Sequence, residues 1–286
     1  MDLPTIDTRA GLKLAESEFT ALSRLVYGRW GINLTDKKRE LVRSRLAKVV
    51  RRRGLDSFAA LLGAIHGDGT GTLLQEVVDA ISTNVTSFFR EPHHFECLHD
   101  LVVPEFIACA RKKKGPAVLR VWSAGCSTGA EAYSIAMTLA ESIPAVSGVA
   151  WEILATDVSQ RVMDVAARGT YVLSDVRGVP PASLHKYFLK GIGRAEGYVR
   201  VVPALRQRVT VRPLNLMEPW HHIHPFAVIF CRNVMIYFDK PTQQRVVARY
   251  RDSLADGGYL FVGHSETITG ASKGWKTIMP TVYRKA

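Results

Sequence analysis

The sequence has no apolar run approaching the ~18 residues that a membrane-spanning helix needs. Its first residues, Met1-Asp-Leu-Pro-Thr-Ile-Asp7, carry acids and no apolar core, so they do not read as a secretory signal. Cysteine is scarce: Cys97, Cys109, Cys126 and Cys231 form no CxxC pair, and four are too few for a disulfide framework in 286 residues. They read as reduced, mostly buried side chains, which predicts a cytoplasmic protein. His93-His94 and His221-His222-Ile223-His224 lack the i,i+4 or CxxC partner that supports a metal site, so no metal is expected. A P-loop, a GxGxxG fingerprint, internal repeats and low-complexity tracts are also missing.

Basic charge, by contrast, is abundant and unevenly spread. The formal net charge is +12. From Asp36 to Gly54 nine basic residues face two acids, a local +7 that concentrates more than half of the surplus in nineteen residues. An acidic partner is therefore expected. Residues 16–82 carry helical periodicity with no strand pattern. A first helix ends at Gly31; a second, capped by Thr35 or Asp36, runs to about Arg53; a third spans Asp56–Ile65 and a fourth Thr72–Ile81. On the second helix Val42, Leu46, Val49 and Val50 share one arc, and Arg45, Lys48, Arg51 and Arg52 share another, giving one buried and one basic side.

From residue 117 strands and helices alternate. Strands are predicted at Ala117–Trp122, Trp151–Thr156, Phe226–Cys231, Gly258–Val262 and near Ile278–Arg284. Helices are predicted at Ala130–Glu141, Ser159–Arg168 and about Pro241–Leu254. This rhythm predicts an α/β fold with a mostly parallel, doubly wound sheet. Between Tyr171 and Pro213 the alternation breaks, and Gly197–Val202 with Gln207–Arg212 read as two strands of an inserted antiparallel flap. The Arg111-Lys-Lys-Lys114 run reads as a solvated helix end.

Gly125-Cys-Ser-Thr-Gly129, between a strand and a helix, offers backbone N–H groups to a ligand, with glycines leaving room for its approach. Asp157 closes the next strand, where an acid hydrogen-bonds ribose hydroxyls in doubly wound folds; the alternative is a cap for the following helix. Both features fit a dinucleotide or a methyl donor. Glu131, just inside the helix start, would repel a pyrophosphate and suits a cationic sulfonium, which favours S-adenosylmethionine.

Four segments carry a further signal: Asn84-Val-Thr-Ser-Phe-Phe-Arg-Glu91, Trp122-Ser-Ala-Gly-Cys-Ser-Thr-Gly-Ala-Glu-Ala-Tyr-Ser134, Phe230-Cys-Arg-Asn-Val-Met-Ile-Tyr-Phe-Asp239 and Gly263-His-Ser-Glu266. In this order they resemble the chemotaxis receptor methyltransferases (the CheR family) over nearly the whole chain. The resemblance implies an all-α domain at 12–82, an S-adenosylmethionine-dependent methyltransferase domain at 83–286 and a β-subdomain inserted at 180–212. It implies methylation of glutamate side chains on the cytoplasmic helices of chemoreceptors, with S-adenosylhomocysteine as the other product. Asn84, Thr86, Arg90, Glu131, Asp157, Asn215, Leu216, Arg232 and Asn233 would line the cofactor site, with Arg90 and Tyr237 nearest the transferred methyl. Arg90 has an alternative role on the cofactor's carboxylate or on local backbone, and Tyr237 one as a core aromatic. The family often has Gly-Glu-Glu-Pro-Tyr-Ser where this chain has Gly129-Ala-Glu-Ala-Tyr-Ser134.

Two docking surfaces are expected. The basic arc of Arg45, Lys48, Arg51 and Arg52 fits an acidic receptor bundle; the competing readings are a solvated face and nucleic acid, and no aromatics interleave as nucleic-acid binding would favour. Gly191, Gly193 and Gly197 resemble the Gly-rich turn with which a tethering subset of the family holds the receptor's C-terminal pentapeptide as an added strand. Arg194 stands where that subset often has proline, and a plain hairpin turn is the alternative. A monomer is expected. Rival readings are a methyltransferase acting on small molecules or nucleic acid, and a non-catalytic adaptor that keeps the pocket.

Overall fold

The computed structural model describes residues 12–112, 115–220, 225–268 and 273–286. The N-terminal segment, Lys113, Lys114 and His221–His224 therefore lie outside the described residues. The chain divides into two compact units, Met1–Thr83 and Asn84–Ala286.

The first unit is all helical: α1 (Glu16–Trp30), α2 (Arg39–Arg52), α3 (Phe58–Gly67) and α4 (Thr72–Ile81). Gly31 ends α1 with φ 68° and an N–H bond to Tyr27 O at 2.8 Å. The expected second helix is instead a 3₁₀ turn at Asp36–Lys38 followed by α2. The third starts later than expected because Ser57 Oγ caps it, accepting from Ala60 N at 3.1 Å. Val42, Leu46, Val49 and Val50 are buried together with Leu22, Val26, Phe58, Leu61 and Val77, so the apolar arc of α2 forms the core of this unit. Its basic arc is not uniform. Arg45 Nη1 donates to Ile81 O at 2.5 Å, closing the end of α4, and Arg52 pairs with Glu76, whereas Lys48 and Arg51 are exposed.

The second unit opens with α5 (His93–Cys97) and α6 (Val103–Lys112), joined by one wide π turn at Leu98–Val102. There follow β1 (Ala117–Ala124), α7 (Ala130–Ser142), β2 (Val149–Asp157) and α8 (Gln160–Arg168). Then come β3 (Thr170–Val172), α9 (Pro181–Tyr187), β4 (Phe188–Lys190), β5 (Tyr198–Val201), α10 (Pro203–Arg206) and β6 (Val209–Pro213). The chain closes with β7 (Phe226–Cys231), α11 (Lys240–Ser253), β8 (Leu254–Val262), β9 (Trp275–Met279) and β10 (Val282–Lys285).

The main sheet has the order β6-β2-β1-β7-β8-β10-β9. Its first five strands are parallel, with Val121 beside both Ile153 and Val228; β10 adds antiparallel to β8, and β9, antiparallel to β10, runs with the first five. This is the S-adenosylmethionine methyltransferase-type α/β sheet. The last strand expected near Ile278–Arg284 is a hairpin of two, turning at Pro280-Thr281, where Thr281 takes φ 66°.

The flap also differs from expectation. Its antiparallel sheet is β3-β5-β4, and the segment expected as its second strand, Gln207–Arg212, instead supplies β6 at the parallel edge of the main sheet. Val209 and Val211 suit either sheet by alternation, and register with Ile153 and Ala155 decides the outcome. The inner face of the flap buries Tyr171, Val199, Val201 and Phe188, while Val172, Leu189 and Tyr198 stay exposed.

The chain leaves β1 toward β2 and β6, then returns to the other side of β1 as β7 and β8. A crevice opens outside the carboxyl ends of strands at such a reversal, and the candidate site lies there.

Candidate active site

The glycine loop after β1 is pinned to β2. The N–H groups of Gly125 and Cys126 both donate to Thr156 O, at 2.8 and 2.9 Å. Gly125 has φ 84° and Gly129 φ 87°. A Cβ on Gly125 would lie 2.3 Å from Val234 Cγ2, and one on Gly129 would lie 2.8 Å from Ala166 Cβ. The glycines thus admit neighbouring parts of the protein, a packing demand in addition to the ligand approach expected of them.

Asp157 is buried at the end of β2 and is not the N-cap of α8, which is Ser159; its Oδ1 accepts from Ser159 N at 3.0 Å, while Oδ2 accepts from Ser127 N at 2.8 Å. These two bonds fix the carboxylate between the glycine loop and the start of α8. Tyr171 of β3 donates its hydroxyl to Thr128 O at 2.8 Å, tying the flap to the same loop.

Glu131 opens α7 and accepts from Ser123 Oγ at 2.7 Å. Its Oε2 lies 3.5 Å from Arg232 Nη1. Burial raises the Glu131 pKa, opposed by the Arg232 charge and the Ser123 hydrogen bond. The Arg232 side chain is only 2% exposed; its Nη2 lies 3.5 Å from Glu91 Oε2 and donates to the carbonyl of Arg90. Arg232 therefore joins the 84–91 segment to the first turn of α7, a connecting role that its motif position did not show.

Asn84 O accepts from Ser127 Oγ at 3.0 Å, and the buried Asn84 Nδ2 has no hydrogen-bond partner among the described residues. Leu214 N donates to Asp157 O at 3.0 Å, carrying the chain into Asn215 and the buried Leu216. Arg249 stacks 3.9 Å from the Trp220 ring centroid and donates to Leu216 O, bracing this segment. Thr86 and Arg90 are half-buried, and Arg90 Nη1 donates to Val85 O at 3.3 Å, the local-backbone contact weighed for it. Tyr237 is half-buried in a 3₁₀ turn at Met235–Tyr237, and Asn233 takes φ 60°.

Residues without an assigned role in the sequence reading complete the centre. Glu91, inside a quoted motif, faces Arg232, His94 and His264. His94 is fully buried, its Nε2 is 2.7 Å from Thr281 Oγ1, and burial followed by the Arg232 and His93 charges lowers its pKa to about 3. Glu91, His93 and His94 bring ligand-type atoms within 4.8 Å of one another, a grouping that their spacing did not suggest. The Arg232 guanidinium beside Glu91 opposes a cation there.

Two family models cover this geometry. Residues 17–82 match the CheR methyltransferase all-alpha domain, and residues 84–284 match the CheR methyltransferase SAM binding domain. The chain belongs to the CheR methyltransferase family. It is 39% identical over 273 residues to the chemotaxis protein methyltransferase of Salmonella typhimurium, spanning 95% of this chain and 91% of the relative. The Escherichia coli K12 protein of the same description is also 39% identical, over 95% of this chain and 92% of its own. Chemotaxis protein methyltransferase 2 of Pseudomonas aeruginosa is 40% identical, over 94% and 93%.

The cofactor of this CheR chain is S-adenosylmethionine. The site suits it: a buried amide donor at Asn84, carboxylates at Asp157 and Glu131, and no P-loop lysine to receive a phosphate. When bound, the cofactor supplies a methyl group on a positively charged sulfur.

Proposed function

We propose that this protein esterifies glutamate side chains on the cytoplasmic domains of chemoreceptors. The observation that supports this most directly is the Arg232 cross-link, which fastens the segment bearing Arg90 to α7 at the cofactor loop. A receptor glutamate has a pKa of about 4.3 and is ionised at neutral pH, so the acceptor needs no general base. The task left to the protein is alignment, where proximity lowers the barrier most. Arg90 holds one carboxylate oxygen by a charge-assisted hydrogen bond and Tyr237 donates to the other. Among the described residues Arg90 forms no ion pair, which leaves its charge for this purpose. Asn84, Thr86, Glu131, Asp157, Asn215, Leu216 and Asn233 bind the cofactor, with Arg232 placing Glu131.

Two surfaces serve the receptor. Lys48 and Arg51, the exposed part of the basic arc, meet its acidic bundle. Strand β4 is an edge of the flap sheet, beside a turn in which a Cβ on Gly191 would lie 2.0 Å from Ala195 O and in which Gly193 and Gly197 have positive φ. An extended receptor C-terminal peptide would add to that edge. The protein acts in the cytoplasm as a monomer.

The test is incubation with methyl-labelled cofactor and receptor cytoplasmic fragments. Base-labile label on the fragments is expected. Label on free carboxylic acids or RNA without receptor would replace this reading with the small-molecule or nucleic-acid one.

A further inference from the structure

The parallel strand β8 ends at Val262, and the chain turns at once through Gly263 to Glu266, whose N–H returns to Gly263 O at 2.8 Å. The Glu266 side chain, on a residue only 4% exposed, then reaches the neighbouring loop after β7. Its Oε2 accepts from Gly263 N at 2.7 Å and Asn233 N at 2.8 Å, and its Oε1 accepts from Ile236 N at 3.1 Å. Among the described residues no cation pairs with this carboxylate, so peptide dipoles alone hold its charge. Burial raises its pKa, and the hydrogen bonds from Gly263, Asn233 and Ile236 oppose that shift.

Gln243 of α11 holds the carbonyl side of the same loop, donating to Met235 O at 2.9 Å and Phe238 O at 3.0 Å, while Glu266 takes its N–H groups. Asn233 adopts φ 60°, and Met235–Tyr237 is a single 3₁₀ turn. A Cβ on Gly263 would lie 2.7 Å from Asn233 Nδ2 and 2.8 Å from Glu266 Oε2, so the approach of the two strand ends leaves no room for a side chain. Arg232, at the start of the loop, is fixed by a different pair of acids, Glu91 and Glu131.

We infer that Glu266 is a positioning residue for methyl transfer, a clamp on the Asn233–Ile236 backbone that sets the aim of Tyr237. A proton-accepting role does not fit, because both oxygens are occupied by backbone N–H groups and the side chain is buried. The inference rests on the proposed reading of Tyr237 at the acceptor carboxylate.

Glu266→Gln replaces one acceptor oxygen with an NH₂ group that opposes a backbone N–H. Amide exchange at Asn233 and Ile236 should accelerate. The kcat of methyl transfer to receptor fragments should fall about 10²-fold, the scale of a 1 Å misplacement. Cofactor Kd by calorimetry should rise by less than the fall in kcat, because only the bond to Asn233 bears on the cofactor while the bond to Ile236 aims the acceptor. Tyr237→Phe placed on Glu266→Gln should add little further loss, since both act through one group. Glu266→Asp, which keeps the charge, should retain more activity than Glu266→Gln, and it carries the same exchange measurement where the glutamine variant does not fold.

Unchanged exchange at Asn233 and Ile236 would overturn the clamp. So would losses that multiply with Tyr237→Phe, or cofactor affinity falling in step with the melting temperature, which would mark Glu266 as merely structural. Failure of the unaltered protein to methylate receptor fragments would instead remove the acceptor reading and leave the exchange result standing.

Discussion

Replacing Arg232 with methionine tests the buried network at its centre. The guanidinium lies 3.5 Å from both Glu91 and Glu131, whose side chains are 10% and 12% exposed. At 3.5 Å and an effective dielectric constant of about 20, each pair attracts by about 5 kcal/mol, most of which offsets the desolvation of the ions. Removing the cation alone leaves two carboxylates in a poorly hydrated site, and losing one partner of a buried pair costs about 3–5 kcal/mol. For a unit of this size that corresponds to a fall in melting temperature of about 6–20 °C.

The deficit of Arg232→Met has a definite pH sign. Burial already raises the Glu131 pKa, and loss of Arg232, which opposes that shift, raises it further. A carboxyl whose folded pKa is raised binds more protons folded than unfolded, so its stability falls as pH rises from about 4.3 through the folded value. The deficit should therefore shrink when a calorimetric melt at pH 8 is repeated at pH 5.5. Adding Glu131→Gln, which removes one stranded charge, should return about 1–2 kcal/mol. A melting temperature within 2 °C of the unaltered protein (about 1 kcal/mol or less) would refute the reasoning. A deficit independent of pH, with no recovery in the double variant, would refute it equally.

Arg90→Ala should bind cofactor normally and lose most methyl transfer to receptor fragments; near-normal turnover would remove Arg90 from the mechanism. Gly125→Ala introduces a side chain 2.3 Å from Val234 Cγ2 at φ 84°, so beyond the about 1–2 kcal/mol of backbone strain it should displace the loop and abolish cofactor binding measured by calorimetry. Lys48→Glu with Arg51→Glu should slow receptor methylation at low salt and lose that effect at high salt without changing the melting temperature; equal rates at low salt would remove the docking surface. A receptor C-terminal peptide should release or absorb heat on binding the flap, and its absence would leave the 191–197 turn as a plain hairpin.

The sequence reading was most accurate where local periodicity met unambiguous punctuation. Helix α4 and strand β7 have the expected bounds, and α1 ends at the glycine expected to end it. The four residues of the apolar arc on α2, Val42, Leu46, Val49 and Val50, all enter the core, because a 3.6-residue period fixes which side faces inward once the helix forms. The strand, glycine turn and Asp157 fitted a dinucleotide as well as a methyl donor, and Glu131 with the four family-like segments pointed to S-adenosylmethionine. The basic arc was only half legible: Lys48 and Arg51 are exposed, but Arg45 and Arg52 have structural partners in Ile81 and Glu76, 36 and 24 residues away.

What only the tertiary structure decided is pairing over long sequence separations. Val209–Pro213 alternates equally well for either sheet, and its parallel register beside β2, formed some fifty residues earlier, made it a main-sheet edge. Gly125 and Gly129 looked like ligand-facing glycines, and their nearest obstacles are Val234 and Ala166, which no local pattern reveals. Glu91 and Glu266 stood inside recognised motifs without a role until folding brought one to Arg232 and the other to the N–H groups of Asn233 and Ile236. By itself the sequence determined which local elements form and which chemistry the chain carries, because these follow from short-range periodicity and residue type. The tertiary structure decided which buried charge meets which partner, because desolvation makes such a charge depend on groups that the chain brings together only once it has folded.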